Sequence, residues 1–381
     1  GVQTCALPIS GKVVWMMRSS ELAPSAANLL DARARRQAED FVGTTPSAPH
    51  LRPSLTMTTK CSLLPYDEPM KNVAKAIEIS RPLLWLNTSM PFLWGALATR
   101  GSLQPLDLVL FLFFLFPYNY FLHAPNDYFD YETDRRNPRK GGVEGALTPK
   151  ELLAKHAAVS SLVLAPFALV TAAWFPPLTL ASLGLLLLLS AAYNAPPTRL
   201  KGRPIADSLT NVLYAIPLQV GIHAAGGTEP LSPHVMIFAA WGIGAHALTT
   251  ITDRDEDEAA GVRTIAVLLG RRATAAFAAA WFVLVGVGAA TITGTPLAFA
   301  VALPYLSLSV IGRDATGEAG RRLYRLFLVT NVILGAGITI IVLLNAPIAS
   351  AVAAAALAIF GTAIALGASV GRSALRARTR A

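Results

Sequence analysis

Asp127, Asp130 and Asp134 recur at i, i+3 and i+7 within the stretch NDYFDYETDRRNPRKGG, residues 126–142. On a helix those positions share one face. Three carboxylates so placed repel one another, and a bound divalent cation removes the repulsion. A second acidic set, Asp253 and Asp257 in DRDEDEAAGVRT, has the i, i+4 spacing of one helix face. It superficially matches a calcium-binding EF-hand loop. It fails at the sixth position, Glu258, and the twelfth, Thr264, where Gly and Glu are required. Mg²⁺ prefers a few carboxylates together with phosphate oxygens and water. Cations flank both sets: Arg135, Arg136, Arg139 and Lys140 beside the first, Arg254 and Arg263 beside the second. A third segment, YNAPPTRLKGRP, adds Arg199, Lys201 and Arg203. Carboxylates, metal and cations together can hold a diphosphate and stabilise it as a leaving group.

The elements that must position these groups are apolar. Of 381 residues 53% are hydrophobic and only 14% charged, and the mean hydropathy is +0.49. The apolar residues fall in blocks at 83–99, 106–122, 152–173, 178–192, 208–225, 235–251, 275–292, 298–311, 326–344 and 348–368. Each runs close to the ~17–25 residues that cross a hydrocarbon core as a helix. Ten such blocks with short polar connections exclude the buried helices of a large soluble protein. The expected fold is therefore all-α, a polytopic membrane helical bundle.

The formal net charge of +9 is distributed unevenly. Lys71, Lys75 and Arg81 precede the first block, and Arg135 to Lys155, Arg199 to Arg203, Arg254 to Arg272, Arg313 to Arg325 and Arg372 to Arg380 follow even-numbered ones. The other side has Arg100 and little else. This positive-inside bias places both termini and both acidic sets in the cytoplasm, with the chain in the cell's inner membrane. It also accounts for the high pI without a nucleic-acid partner. Membrane topology explains any one arginine as readily as diphosphate binding does. It rewards no aspartate. Cys5 and Cys61 lack metal-ligand spacing and form no disulfide framework. Residues 1–70 hold no apolar block. They are expected to be a disordered tail or an extension fused upstream of a start at Met57 or Met70, since GVQTCALPIS resembles a translated sequencing adapter.

The motifs N-D-x-x-D-x-x-x-D after the second block and D-x-x-x-D after the sixth resemble those of the UbiA superfamily of intramembrane prenyltransferases. YNAPPTRLKGRP is similar to that family's loop between its fourth and fifth helices. The resemblance implies nine helices over residues 71–345, with 346–381 as an additional Ala-rich helix and basic tail. It implies Mg²⁺-dependent transfer of a prenyl group from a prenyl diphosphate to a lipophilic acceptor in the bilayer. It further implies that Asn126, Asp127, Asp130, Asp134, Asp253 and Asp257 hold the metal. Asp127, Asp130, Asp253 and Asp257 carry the chemistry. Asn126, Arg139, Lys140, Tyr193, Arg199, Lys201 and Arg263 face the diphosphate. SRPLLWLNTSMPF, FPYNYF and the continuation NPRKGGVEGA resemble the bacterial lycopene elongases within the superfamily. Arg254, Asp255 and Glu256 inside the second motif are nearer to the quinone-pathway members, so an aromatic acceptor stays open. Nothing in the sequence fixes an oligomeric state.

Other polar residues have ordinary readings beside functional ones. His123 and His246 are expected to be hydrogen-bonded without belonging to a metal pattern, with a catalytic base as the alternative for either. Tyr118, Tyr120, Phe121, Tyr128 and Phe129 are expected to pack, with cation shielding as the alternative. Asn87 and Thr88 line an acceptor tunnel or join helices. Pro117 and Pro125 kink or end the second helix. A transporter would place charge at mid-membrane and show repeated halves, whereas these acids lie at helix ends.

Overall fold

The computed structural model describes residues 4–9, 12–17, 67–135 and 148–345. The chain divides into two units, 1–63 and 64–381. In the first, Thr4–Ile9 (β1) and Lys12–Met17 (β2) pair antiparallel, Thr4 opposite Met17 and Ile9 opposite Lys12. This apolar hairpin is an element that the sequence reading of residues 1–70 does not contain; most of the rest of that segment lies outside the described residues, as do the expected helix at 348–368 and residues 136–147.

Among its described residues the second unit has helices and no strand. It comprises α1 (Asp67–Ile79), α2 (Leu86–Arg100), α3 (Asp107–Leu115), α4 (Pro117–Phe129), α5 (Lys150–Leu162), α6 (Ala165–Trp174), α7 (Pro177–Asn194), α8 (Ile216–Ala224), α9 (Pro233–Ala259), α10 (Ile265–Thr293), α11 (Leu303–Gly312) and α12 (Gly317–Asn345). Among the described residues six stretches are long and apolar enough to cross a membrane: 107–129, 150–174, 177–194, 233–259, 265–293 and 317–342. Three other expected spans are shorter or broken. The first gives up a turn to the 3₁₀ segment Pro82–Trp85, the fifth is interrupted by 3₁₀ turns at Thr210–Tyr214, and the eighth begins as a 3₁₀ segment at Pro296–Ala302. Prolines at the first turn of each following or included segment withdraw N–H groups and set these breaks.

Apolar side chains form the core, with Phe92, Phe114 and Phe282 fully buried, and they also cover much of the outer surface. Leu162, Leu169, Leu188 and Ile333 point outward, whereas Asn119, His123, Asp127, Ser190, Asn194 and Asp207 are buried. Apolar outward faces with polar groups turned to the bundle interior suit a lipid surround. Two contacts set the bundle's closest spacing. A Cβ at Gly95 of α2 would lie 2.2 Å from the Leu218 carbonyl oxygen, and one at Gly221 of α8 would lie 2.1 Å from that of Phe92. Only hydrogen fits at either position, so the two backbones touch reciprocally.

Pro117 separates α3 from α4 and produces the kink that the sequence allows. At this break the Phe114 carbonyl accepts from Thr88 Oγ1 (2.8 Å) and from Asn119 Nδ2 (2.6 Å), which itself reaches Thr88 (2.8 Å). Thr88 thus joins helices. Tyr118 and Tyr120 are also structural, bonded to Ser190 (3.0 Å) and to His156 Nδ1 (2.5 Å). Pro125 lies inside α4, which runs beyond the expected end at 122 to Phe129.

Candidate active site

The first acidic set straddles the end of a helix. Asp127 is in α4, Asp130 is its C-cap with φ −96° and ψ 4°, and Asp134 lies in the turn Tyr131–Asp134. The expected common face is therefore divided. Asp127 turns inward, 2% exposed, and accepts from Arg81 Nη2 at 2.6 Å; Arg81 is 13% exposed. Arg81 precedes Pro82, which disfavours the right-handed helical conformation, and it sits at φ 55° in the left-handed region. The bend there turns the chain from α1 towards α2. Burial alone would lower the Arg81 pKa, but the carboxylates of Asp127 and Asp134 raise it.

Asp130 is held from the loop after α7. Arg199 Nη2 donates to Oδ1 at 2.9 Å, and Lys201 Nζ donates to Oδ2. Thr198 Oγ1 donates to the Ala192 (2.9 Å) and Ala195 (3.1 Å) carbonyls and fastens the loop to the end of α7. Asn126 joins this group. Its amide is 3.1 Å from Asn194 Oδ1, and with its oxygen towards Lys201 Nζ and its nitrogen towards Asp130 Oδ2 it meets both at 3.2 Å. Arg139 and Lys140 lie outside the described residues.

Asp253 and Asp257 are both in α9, and Thr264 Oγ1 donates to Asp257 Oδ2 at 3.2 Å. Their charged neighbours face away: Arg254 pairs with Asp255 (3.3 Å) and Glu258 (3.2 Å), and Arg271 reaches Asp255 at 2.5 Å. Arg263 is exposed in the connection to α10.

A cavity of about 200 Å³ lies between these elements. Arg81, Asn87, His123 and Asn126 line one side, Tyr193, Trp241, His246 and Thr249 another. Asn126 adjoins Asp127 and precedes Asp130 by one turn; Thr249 precedes Asp253 by one turn. Each acidic set is thus adjacent in sequence to a residue of the lining, while the aspartates themselves are not part of it. Within it Tyr193 Oη is 3.1 Å from His246 Nε2, and Ser208 Oγ is 3.1 Å from His246 Nδ1.

Two residues outside the acidic motifs and the YNAPPTRLKGRP segment support this arrangement. Arg81 is one. Asp207 is the other: its Oδ2 accepts from the N–H of Ile265, the first residue of α10, at 2.8 Å, and its Oδ1 accepts from Ser208 N at 2.7 Å. It caps a helix distant in sequence. Burial pushes its carboxyl up to about 6, against the backbone hydrogen bonds that favour the charged form. An aspartate without motif spacing gives no sequence signal of either task.

The pattern of the UbiA prenyltransferase family matches residues 88–331. The chain belongs to the UbiA prenyltransferase family. It is 31% identical over 284 residues to a lycopene elongase/hydratase of Corynebacterium glutamicum, covering 72% of this chain and 98% of that protein. It is 32% identical over 271 residues to a lycopene elongase/hydratase of Haloferax volcanii, covering 69% of this chain and 86% of that protein. A UbiA homologue from Archaeoglobus fulgidus, solved with DMAPP and Mg²⁺, has the same fold. Its TM-score is 0.51 at 16% identity, over 69% of this chain and 99% of that one. The UbiA prenyltransferase described here is thus an enzyme and an integral membrane protein, as its long apolar helices require.

The donors of the two acidic sets are all oxygens of carboxylates and an amide, which suit a hard cation such as Mg²⁺ rather than a thiolate- or imidazole-seeking metal. Among the described residues no three His, Cys, Asp or Glu groups are drawn together around a common point. Arg81, Arg199 and Lys201 supply positive charge to the first set instead. These are long side chains able to move to a phosphate, so the residues fit a metal–diphosphate ligand.

Proposed function

We propose that the protein transfers dimethylallyl groups from dimethylallyl diphosphate to the ends of lycopene, with the active-site loops and both termini on the cytoplasmic side of the inner membrane. The observation that carries the acceptor is the likeness to lycopene elongase/hydratases, which extends over 98% of the Corynebacterium glutamicum protein. The cavity's volume of about 200 Å³ also suits a short C5 group. Asn126, Asp127, Asp130, Asp134, Asp253 and Asp257 would hold Mg²⁺, which supplies positive charge to the departing diphosphate.

The chain's own residues do the rest. Arg81, Arg199 and Lys201 leave their carboxylates for the diphosphate oxygens, and Asn126, Tyr193, Arg139, Lys140 and Arg263 complete that surround. Charge-assisted hydrogen bonds to the departing oxygens strengthen as the C–O bond breaks. Leu213, Phe327 and Leu328 exclude water from the prenyl group. The Trp241 ring, in the same lining, offers an aromatic face worth ~0.5–2 kcal/mol to a cation. The terminal double bond of lycopene attacks the prenyl carbon, a C–C bond forms, and a tertiary cation remains on the carotenoid. Lycopene is apolar and enters from the lipid; the diphosphate enters at the acidic end.

The test is expression in a lycopene-producing host with mass spectrometry of extracted pigments. Conversion of the C40 pigment to C45 and C50 products is expected. Unchanged lycopene, with prenylation of 4-hydroxybenzoate or a naphthoate by the same membranes, would replace the carotenoid with an aromatic acceptor.

A further inference from the structure

Tyr193, His246 and Ser208 form a row across three separate elements. Tyr193 Oη and His246 Nε2 are 3.1 Å apart, as are His246 Nδ1 and Ser208 Oγ. Tyr193 ends α7, His246 is in mid-α9, and Ser208 is in the turn Ala206–Leu209. Tyr193 and His246 line the cavity, and Ser208 is wholly buried behind them. The rings of Tyr193 and His246 stand edge to face, 6.2 Å between centroids at 85°. Both imidazole nitrogens are engaged, which fixes the ring and leaves one of them an acceptor in either tautomer.

Tyr193 is also assigned to the diphosphate surround, but His246 and Ser208 have no task in diphosphate departure, which the cations and the proposed metal site serve. The end of the reaction has no group assigned. Once the C–C bond has formed, the acceptor carries a positive charge. It becomes neutral either by losing a proton from carbon or by adding water and then losing a proton from oxygen. We propose that the Tyr193–His246–Ser208 row takes that proton. In the hydration route a water molecule is the co-reactant: its oxygen forms the C–O bond, and the resulting oxonium passes a proton to Tyr193 Oη. Tyr193's own proton moves to His246 Nε2, and the imidazolium keeps Nδ1–H on Ser208 Oγ. In the elimination route the neighbouring C–H gives its proton to the same oxygen, and its electron pair becomes the new double bond. The proposal rests on the prenyl-transfer reading but not on the acceptor, since an aromatic cation must also shed a proton.

The experiment compares wild type with His246→Leu, His246→Gln and Ser208→Ala in membranes, using dimethylallyl diphosphate and whichever acceptor the wild type prenylates. That control separates the two claims, because a wild type active only on an aromatic acceptor defeats the carotenoid reading and leaves this one measurable. With His246→Leu, kcat should fall ~100-fold, within the ordinary contribution of a general base, while KM for the diphosphate changes less than about threefold. With lycopene the ratio of hydroxylated to dehydrated ends should also change. His246→Gln retains a polar contact and should retain more activity than the Leu variant. Ser208→Ala should lower kcat by roughly tenfold through the unanchored ring, and it tests the row even where His246→Leu does not fold. A solvent deuterium isotope effect on wild-type kcat should shrink in the His246 variants. Unaltered kcat and product ratio in His246→Leu would overturn the proposal and assign the proton to the released diphosphate. A rise in KM alone would overturn it too, since His246 would then serve binding.

Discussion

Replacing Arg81 by alanine probes the buried pair on which the first acidic set depends. Arg81 is 13% exposed and Asp127 2%, and their charged atoms are 2.6 Å apart. Removing one member of such a pair takes an opposite charge from the other in a low-dielectric site. The usual cost is ~3–5 kcal/mol, against ~0–1 kcal/mol for a surface pair. Backbone conformation adds a second effect. Arg81 has φ 55°, where a side chain costs about 1 kcal/mol relative to glycine. Arg81→Ala keeps that cost and Arg81→Gly removes it. Unfolding in detergent with EDTA should therefore show Arg81→Ala less stable by ~3–5 kcal/mol, and Arg81→Gly less stable by about 1 kcal/mol less than that. A dication at Asp127 replaces the missing positive charge, so added Mg²⁺ should recover more stability in Arg81→Ala than in wild type. An alanine variant within ~1 kcal/mol of wild type in EDTA, or a glycine variant less stable than the alanine one, would refute the reasoning.

Asp127→Ala and Asp257→Ala should each abolish turnover in protein that still inserts in the membrane, Asp127→Ala with a loss of stability comparable to that of Arg81→Ala, and chelation should abolish wild-type turnover; full activity in EDTA would remove the metal assignment. Charge-removing changes at Arg199 and Lys201 should raise KM for the prenyl diphosphate about tenfold or more, the worth of one charge-assisted hydrogen bond, whereas Arg313 and Arg321 variants should stay within about twofold. Equal effects at the two pairs would return Arg199 and Lys201 to a topological role. Gly221→Ala should lower stability by ~1–3 kcal/mol by forcing α8 from α2, read by thermal unfolding; a neutral change would mean that the Phe92 carbonyl yields freely.

Hydropathy makes the long helices legible, because lipid demands an unbroken apolar surface. The same demand does not apply where helices face one another, and there the sequence misleads. Blocks 208–225 and 298–311 read as single spans, yet Pro217 and Pro296 come with 3₁₀ turns, and Pro125, a natural helix end, lies inside α4. The acidic motifs are legible as a group but not in their partners. Helical spacing puts Asp127 and Asp130 on one face; the helix ends between them, and each meets cations from a different segment. Arg81 lies 46 residues from Asp127, and its place in SRPLLWLNTSMPF gives no sign of that pairing. His246 meets Tyr193 and Ser208 across 53 and 38 residues. Such contacts belong to the packed bundle, and no local pattern encodes them.

The cations on Asp127 and Asp130 also bear on the order in which ligands bind. A metal ion arriving alone would have to displace Arg81, Arg199 and Lys201 from carboxylates that now neutralise them. A diphosphate arriving alone would strip the carboxylates of their cations. Arriving together the two exchange partners, carboxylate to metal and cation to phosphate, with no charge left over. On the proposed metal–diphosphate reading the site would couple its two ligands, and linkage would require each to raise the other's affinity by the same factor. An enzyme built this way would hold little metal while prenyl diphosphate is scarce.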